Sequence, residues 1–114
     1  QDVGKALNPR EVRGQILGGI AQGIGLAMNE DLQIEQGVAM NPTFADYLIP
    51  TTADMPEVLV DLVEVPDPLA PYGLKGVGEP PSLSSTPAVA AAIRNATGRP
   101  VVRVPVRPEH LIDR

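Results

Sequence analysis

Residues 8–30 read NPREVRGQILGGIAQGIGLAMNE, and this stretch decides the fold class. Asn8-Pro9-Arg10-Glu11 is a helix start: an Asn to cap, a Pro whose missing N–H costs nothing at the first position, and an acid three residues after the cap. Val12, Ile16, Ile20, Ile24 and Met28 then recur at every fourth position beside Leu17, which predicts a helix over about 9–30. No residue between Arg13 and Glu30 is charged, so the helix is expected to be buried nearly all round. Gly14, Gly18, Gly19, Gly23 and Gly25 lie inside it. Each costs roughly 1 kcal/mol against Ala, and close approach of other backbone or of a ligand is the usual compensation. Gln15 and Gln22 are the polar exceptions, two turns apart on one side. A buried Gln needs a hydrogen-bond partner, either neighbouring backbone or a polar cofactor.

Outward from this helix the chain is punctuated by Pro and Gly. After Gly37 come Asn41-Pro42 and Tyr47-Leu48-Ile49-Pro50, read as extended and irregular. Residues 57–65, EVLVDLVEV, make the clearest strand, β-branched and apolar enough to be covered on both faces. A second helix is expected over about 83–96, capped by Ser84, Ser85 or Thr86, driven by Ala88 to Ala92 and ended by Thr97-Gly98. Val101-Val102-Arg103-Val104 reads as a short strand, and residues 108–113 as a last helical turn. The expectation is α+β: two main helices packed on a small mixed sheet, with long Gly/Pro-rich irregular segments.

Between strand and second helix lies Tyr72-Gly73-Leu74-Lys75-Gly76-Val77-Gly78-Glu79-Pro80-Pro81. Gly73, Gly76 and Gly78 can take backbone angles closed to other residues and admit a ligand to the main chain. Pro80 is expected to push Glu79 into an extended conformation and Pro81 to stiffen the exit. A single acid on a fixed backbone is what a general base requires. The plainer reading is a solvated Glu in a Gly/Pro loop.

Composition removes several function classes. Nine Lys+Arg against 14 Asp+Glu, net charge −5, leave no basic stripe for nucleic acid. No apolar run of about 18 residues could span a membrane, and no basic-then-apolar signal is present. With no Cys there is no thiolate metal site or iron–sulfur ligand, and a reducing, cytoplasmic setting is expected. The single His110 makes a His-based metal site implausible. The 73–78 loop lacks the Gly-Lys-Ser/Thr ending of a P-loop, and Gly23-Ile24-Gly25 lacks the third glycine and preceding strand of a dinucleotide fingerprint. Ser82, Ser84 and Ser85 have no His to activate them. Asp54, Glu57, Asp61 and Glu64 read as the solvated side of a strand and its entry. Only 3% of residues are aromatic, few for a self-sufficient core.

Three motifs in order resemble the C-terminal part of the molybdenum-binding (large) subunit of the xanthine dehydrogenase/aldehyde oxidase family of molybdenum hydroxylases. They are Asp2-Val3-Gly4…Asn8-Pro9, then Gly14-Gln15…Gly18-Gly19…Gln22-Gly23-Ile24-Gly25, and Lys75-Gly76-Val77-Gly78-Glu79-Pro80-Pro81. Asn41-Pro42, Tyr47-Leu48-Ile49-Pro50, Met55-Pro56 and Pro105-Val106-Arg107-Pro108-Glu109 agree, so the resemblance covers residues 1–114. It implies one portion of a larger molybdopterin-binding domain, and Gln1 without an initiator Met is in keeping with a fragment. The implied activity is hydroxylation of an N-heterocycle or aldehyde carbon with water as oxygen source. The implied cofactor is a molybdenum–pterin, with or without a dinucleotide extension. By the same resemblance Glu79 is the catalytic base, Gln22 bonds the cofactor, and the backbone of Gly76, Val77 and Gly78 passes close to the metal, which takes no side-chain ligand from this chain. Implied partners are the remainder of the molybdenum subunit, iron–sulfur and flavin (FAD) domains or subunits, and a small-molecule substrate. The alternatives are a non-catalytic folded fragment or assembly domain with no cofactor of its own, and a small independent binding protein.

Overall fold

The computed structural model describes residues 1–112. Its architecture is α+β: helix α1 (Pro9–Met28), a two-stranded antiparallel hairpin of β1 (Ile34–Glu35) and β2 (Val38–Ala39), and helix α2 (Pro80–Thr97), joined by long irregular segments. The two helices pack on each other and not on the hairpin. A parallel bridge between Asp2 and Val63 is the other sheet-like pairing among the described residues. No helix among them is long and apolar enough to cross a membrane.

Helix α1 starts as its sequence predicts. Asn8 is the cap, its side-chain oxygen accepting from the Glu11 amide at 3.4 Å, and Pro9 holds the first position. The end comes at Met28, where the amides of Asn29 and Glu30 both return to the Gly25 carbonyl at 2.8 Å. Burial of α1 is one-sided, contrary to expectation. Ile16, Gly19, Gly23, Gly25 and Ala27 are buried, whereas Gly14, Gln15, Leu17, Gly18, Gln22 and Leu26 are exposed. The uncharged surface of α1 is thus not covered by this chain.

Two of the five glycines are explained by α2. A Cβ on Gly23 would stand 1.8 Å from Ser85 Oγ and 3.1 Å from the Thr86 amide nitrogen, and one on Gly19 would meet Pro81 Cβ at 3.0 Å. Thr86 Oγ1 donates to the Gly23 carbonyl at 3.0 Å across this contact. Gly25 faces Glu30 and Pro50 in the same way, but Gly14 and Gly18 have nothing within 4 Å. Gly23→Ala must therefore push the helices apart. Overpacking of this kind costs about 1–3 kcal/mol, more than the roughly 1 kcal/mol of helix propensity gained. A lowered melting temperature of the assembled subunit is the expected result, and an unchanged one would show that the crossing is not close.

Helix α2 starts three residues earlier than predicted, and the serines do not cap it. Pro80 and Pro81 occupy its first two positions, where a missing N–H is tolerated, and Glu79 stands at the cap without a side-chain hydrogen bond. The hydroxyls instead bond inward along the first turn: Ser82 to the Glu79 carbonyl at 2.8 Å, Ser85 to that of Pro81 at 3.0 Å. The far end is as read, with Gly98 at φ 68° and its amide on the Arg94 carbonyl.

The predicted strands fare worse. Residues 57–65 form no strand; among the described residues their one bridge is at Val63, whose amide donates to the Gln1 carbonyl at 2.8 Å while the Val3 amide donates to the Val63 carbonyl at 2.9 Å. Leu59 is 89% exposed, so the run is not covered on both faces. A β-branched apolar run needs flanking strands, and the described residues supply one short neighbour. Residues 101–104 form no strand, because Pro100 and Pro105 remove ladder donors on both sides. The hairpin went unread although its signal was present: Gln36-Gly37, at φ 48° and 83°, is a two-residue turn with both residues left-handed. The predicted last turn is a 3-10 helix at Pro108–His110, and Asp113 lies outside the described residues.

Candidate functional site

The segment bearing Glu79 is held at two ends. Upstream, Gly4 and Gly73, at φ 69° and 73°, are in backbone contact: a Cβ on Gly4 would lie 2.1 Å from the Gly73 carbonyl oxygen. The Lys75 amide donates to the Val3 carbonyl at 3.1 Å, and Lys75 Nζ pairs with Asp2 Oδ2 at 2.5 Å. The Lys75 ammonium, then the Gly4 amide, hold the Asp2 carboxyl below the usual carboxylate range, against the opposing effect of desolvation. Downstream, the two prolines open α2, which docks on α1. The loop between therefore crosses α1: a Cβ on Gly19 would stand 3.3 Å from the Gly78 carbonyl oxygen, and one on Gly78 would stand 3.9 Å from Gln15 Oε1.

Glu79 is exposed, and its carboxylate makes no hydrogen bond or ion pair among the described residues. Its backbone, at φ −103° and ψ −16°, is helical and not extended as expected. The preference imposed by Pro80 yields because the Glu79 carbonyl accepts from both the amide (2.9 Å) and the hydroxyl (2.8 Å) of Ser82. Of the three loop glycines only Gly73 uses a positive φ. Gly76 and Gly78 matter for space: nothing of the chain lies within 4 Å of a Cβ on Gly76. Gly76 and Gly78 are exposed and Val77 is half-buried.

Gln22 is exposed and unbonded among the described residues, so neither it nor Gln15 is the buried, backbone-satisfied Gln that the uncharged helix suggested. The two stand seven residues apart on one side of α1, about 10 Å along its axis, and Gln15 rather than Gln22 reaches the loop at Gly78. Gln15, marked with Gln22 by its polarity within an uncharged stretch, is thus the glutamine beside the loop. Between the glutamines, Gly18 faces open space. A concavity of about 380 Å³ beside Leu26, Asn41, Phe44 and Tyr47 contains none of these residues. The site is one open wall.

A family model described as the molybdopterin cofactor-binding domain matches residues 1–56, which include α1 and both glutamines but not the loop of Glu79. The xanthine dehydrogenase molybdenum-binding subunit of Escherichia coli O157:H7 is 38% identical over 114 residues, covering 98% of this chain. The chain belongs to the molybdenum-binding subunits of the xanthine dehydrogenase/aldehyde oxidase family. Aldehyde oxidoreductase of Megalodesulfovibrio gigas is 39% identical over 98% of this chain. The crystal structure of quinoline 2-oxidoreductase from Pseudomonas putida 86 superposes with a TM-score of 0.86 at 41% identity, covering 96% of this chain. The chain spans only 15%, 12% and 14% of these three relatives.

Proposed function

We propose that this chain forms one wall of the cofactor site of a molybdenum hydroxylase that oxidises an N-heterocycle or aldehyde carbon, and that Glu79 is its general base. The observation that carries this reading is an exposed carboxylate with no partner among the described residues, set where a loop crosses α1 and a helix docked on α1 begins. A carboxylate with no donor of its own is free to take up a proton.

The residues of the wall fit a planar, polar cofactor. Gly14, Gly18 and Gly76 have no Cβ and no neighbour where one would be, so a flat group could approach the backbone of helix and loop. Gln15 and Gln22 each present an unbonded amide, able both to donate and to accept against a heterocycle edge. When bound, the molybdenum–pterin group, with or without a dinucleotide extension, supplies the redox centre at which carbon is oxidised with water as oxygen source. The part of Glu79 is to accept a proton at a carboxylate oxygen. Gln22 holds the cofactor, and the backbone of Gly76, Val77 and Gly78 gives it room. The substrate pocket and electron acceptors lie on the remainder of the subunit and on iron–sulfur and flavin partners, in the cytoplasm.

Gln22→Ala tests the cofactor side of this reading. The side chain breaks no bond within the chain when removed, and Ala is the better helix former, so the fold should be kept. Molybdenum per assembled subunit, measured by elemental analysis, is expected to fall. Full occupancy and unchanged turnover would take Gln22 out of the site. Gly18→Ala gives a second, sharper contrast. In the chain alone its methyl meets nothing, and about 1 kcal/mol of helix stability should be gained. In the assembled subunit the same methyl stands where the cofactor approaches, so occupancy should drop while stability does not.

A further inference from the structure

We propose that Asp2 is a positioning residue for the Glu79 loop, fixing through Lys75 the point from which residues 76–79 depart. The inference rests on the reading of Glu79 as the base and adds to it a residue more than seventy positions away in sequence.

Asp2 ties three segments together. Its Oδ1 accepts from the amides of Gly4 (3.0 Å) and Val65 (3.3 Å), and its Oδ2 accepts from Lys75 Nζ (2.5 Å). Three N–H donors around one carboxylate suit the ionised group, which accepts only. The neighbouring backbone confirms that this is a junction. Val3, 1% exposed, bonds Val63 through its amide and Lys75 through its carbonyl, and Gly4 abuts Gly73. A Cβ at Gly4 would break that contact, so the segment 1–4 is seated against 73–75 by shape as well as by charge.

From Lys75 to the first turn of α2 the loop is held more loosely among the described residues: Gln1 Nε2 donates to the Gly76 carbonyl at 3.5 Å, a long contact. Gly76 and Gly78 have no side chains to brace the loop, and the carboxylate of Glu79 bonds nothing. The downstream end is fixed by Pro81 against Gly19 and by Thr86 on the Gly23 carbonyl. With that end set by helix packing, the course of residues 76–79 depends on where Lys75 is held. A chain of four residues reaches no more than about 14 Å when fully extended, so a shift at Lys75 must be taken up within the loop. Asp2 touches neither the base nor any group that could react, and its effect is transmitted only through this geometry.

The test uses the assembled, cofactor-loaded subunit with Asp2→Ala, Lys75→Met and the double variant. Misplacing a reacting group by about 1 Å can cost up to about 100-fold in rate. Because the loop keeps its α2 tether, each single variant is expected to lose about tenfold in kcat, with KM within about twofold. The double variant should be no slower than Asp2→Ala, which already removes the Lys75 contact along with those of Gly4 and Val65. Independently of turnover, hydrogen exchange of the Leu74 and Lys75 amides should accelerate in Asp2→Ala while that of α1 stays as in the parent. Asp2→Asn keeps the Oδ1 acceptor and loses the charge, so it should fall between Ala and wild type in both measurements. Normal kcat in both single variants, or exchange accelerating equally across α1 and the loop, would overturn the proposal, the latter by marking Asp2 as a general stabiliser. If Glu79→Gln turns over normally while Asp2→Ala still loosens residues 74–75, the base reading falls and the anchor stands. If Glu79→Gln is inactive and Asp2→Ala changes nothing, the anchor falls and the base stands.

Discussion

Glu79→Gln in the assembled subunit is expected to slow reduction of the enzyme by substrate by at least about two orders of magnitude, with molybdenum content near normal. General-base assistance is worth about 10²–10⁴ in rate. Gln preserves size and most hydrogen-bonding capacity but cannot accept a proton at neutral pH. The structure makes this substitution unusually clean, because the carboxylate has no partner within the described chain to be stranded. The backbone contacts of residue 79, from the amide and hydroxyl of Ser82, do not involve its side chain. Glu57→Gln is the control: it removes another exposed acid upstream of the same loop, and rates should stay within about twofold of wild type. Single-turnover reduction by substrate, normalised to molybdenum, separates chemistry from loading. A near-normal rate in Glu79→Gln would return the segment to a structural role, as the simple start of α2.

What was legible in the sequence divides along a physical line. Local signals were read well: the Asn8-Pro9 cap, the Gly98 stop and the placing of one acid between a glycine loop and two prolines all follow from backbone stereochemistry within a few residues. Burial is less legible than local structure, because it depends on what packs against each face. The uncharged face of α1 and the β-branched run at 57–65 are patterns of buried elements, yet Leu17, Leu26 and Leu59 are exposed. Glu79 stands at the head of a docked helix with helical backbone, where extension before Pro80 was expected. Gln15 and Gln22 were marked alike, because one sequence cannot say which of two glutamines on a helix face a loop will cross.

The isolated 114-residue chain is expected to expose a large apolar surface, bind hydrophobic dyes and self-associate. A folded monomer of 12.0 kDa should show about 6,000 Å² of accessible surface, whereas the described chain has 8312 Å². Its radius of gyration is 17.3 Å, against about 13 Å for a compact domain of this length. The buried hydrophobic residues are Val3, Ile16, Ala27 and Val106, while Phe44 and Leu69 stand 95% and 94% exposed. Many large apolar side chains are exposed together with these, among them Leu32, Ile34, Leu59, Leu83 and Val102, and exposed apolar surface that gathers into patches marks an interaction site. The relatives are about seven times longer, since the chain spans 15% of the Escherichia coli subunit, and the surface is accounted for if the rest of such a subunit packs against it. Light scattering and dye fluorescence on the isolated chain should therefore report association and strong binding, and co-expression with the remainder of the subunit should abolish both. A compact, dye-free monomer with one sharp, high-temperature melt would show that the chain closes its own core, and would favour the small independent binding protein over a wall of a larger site.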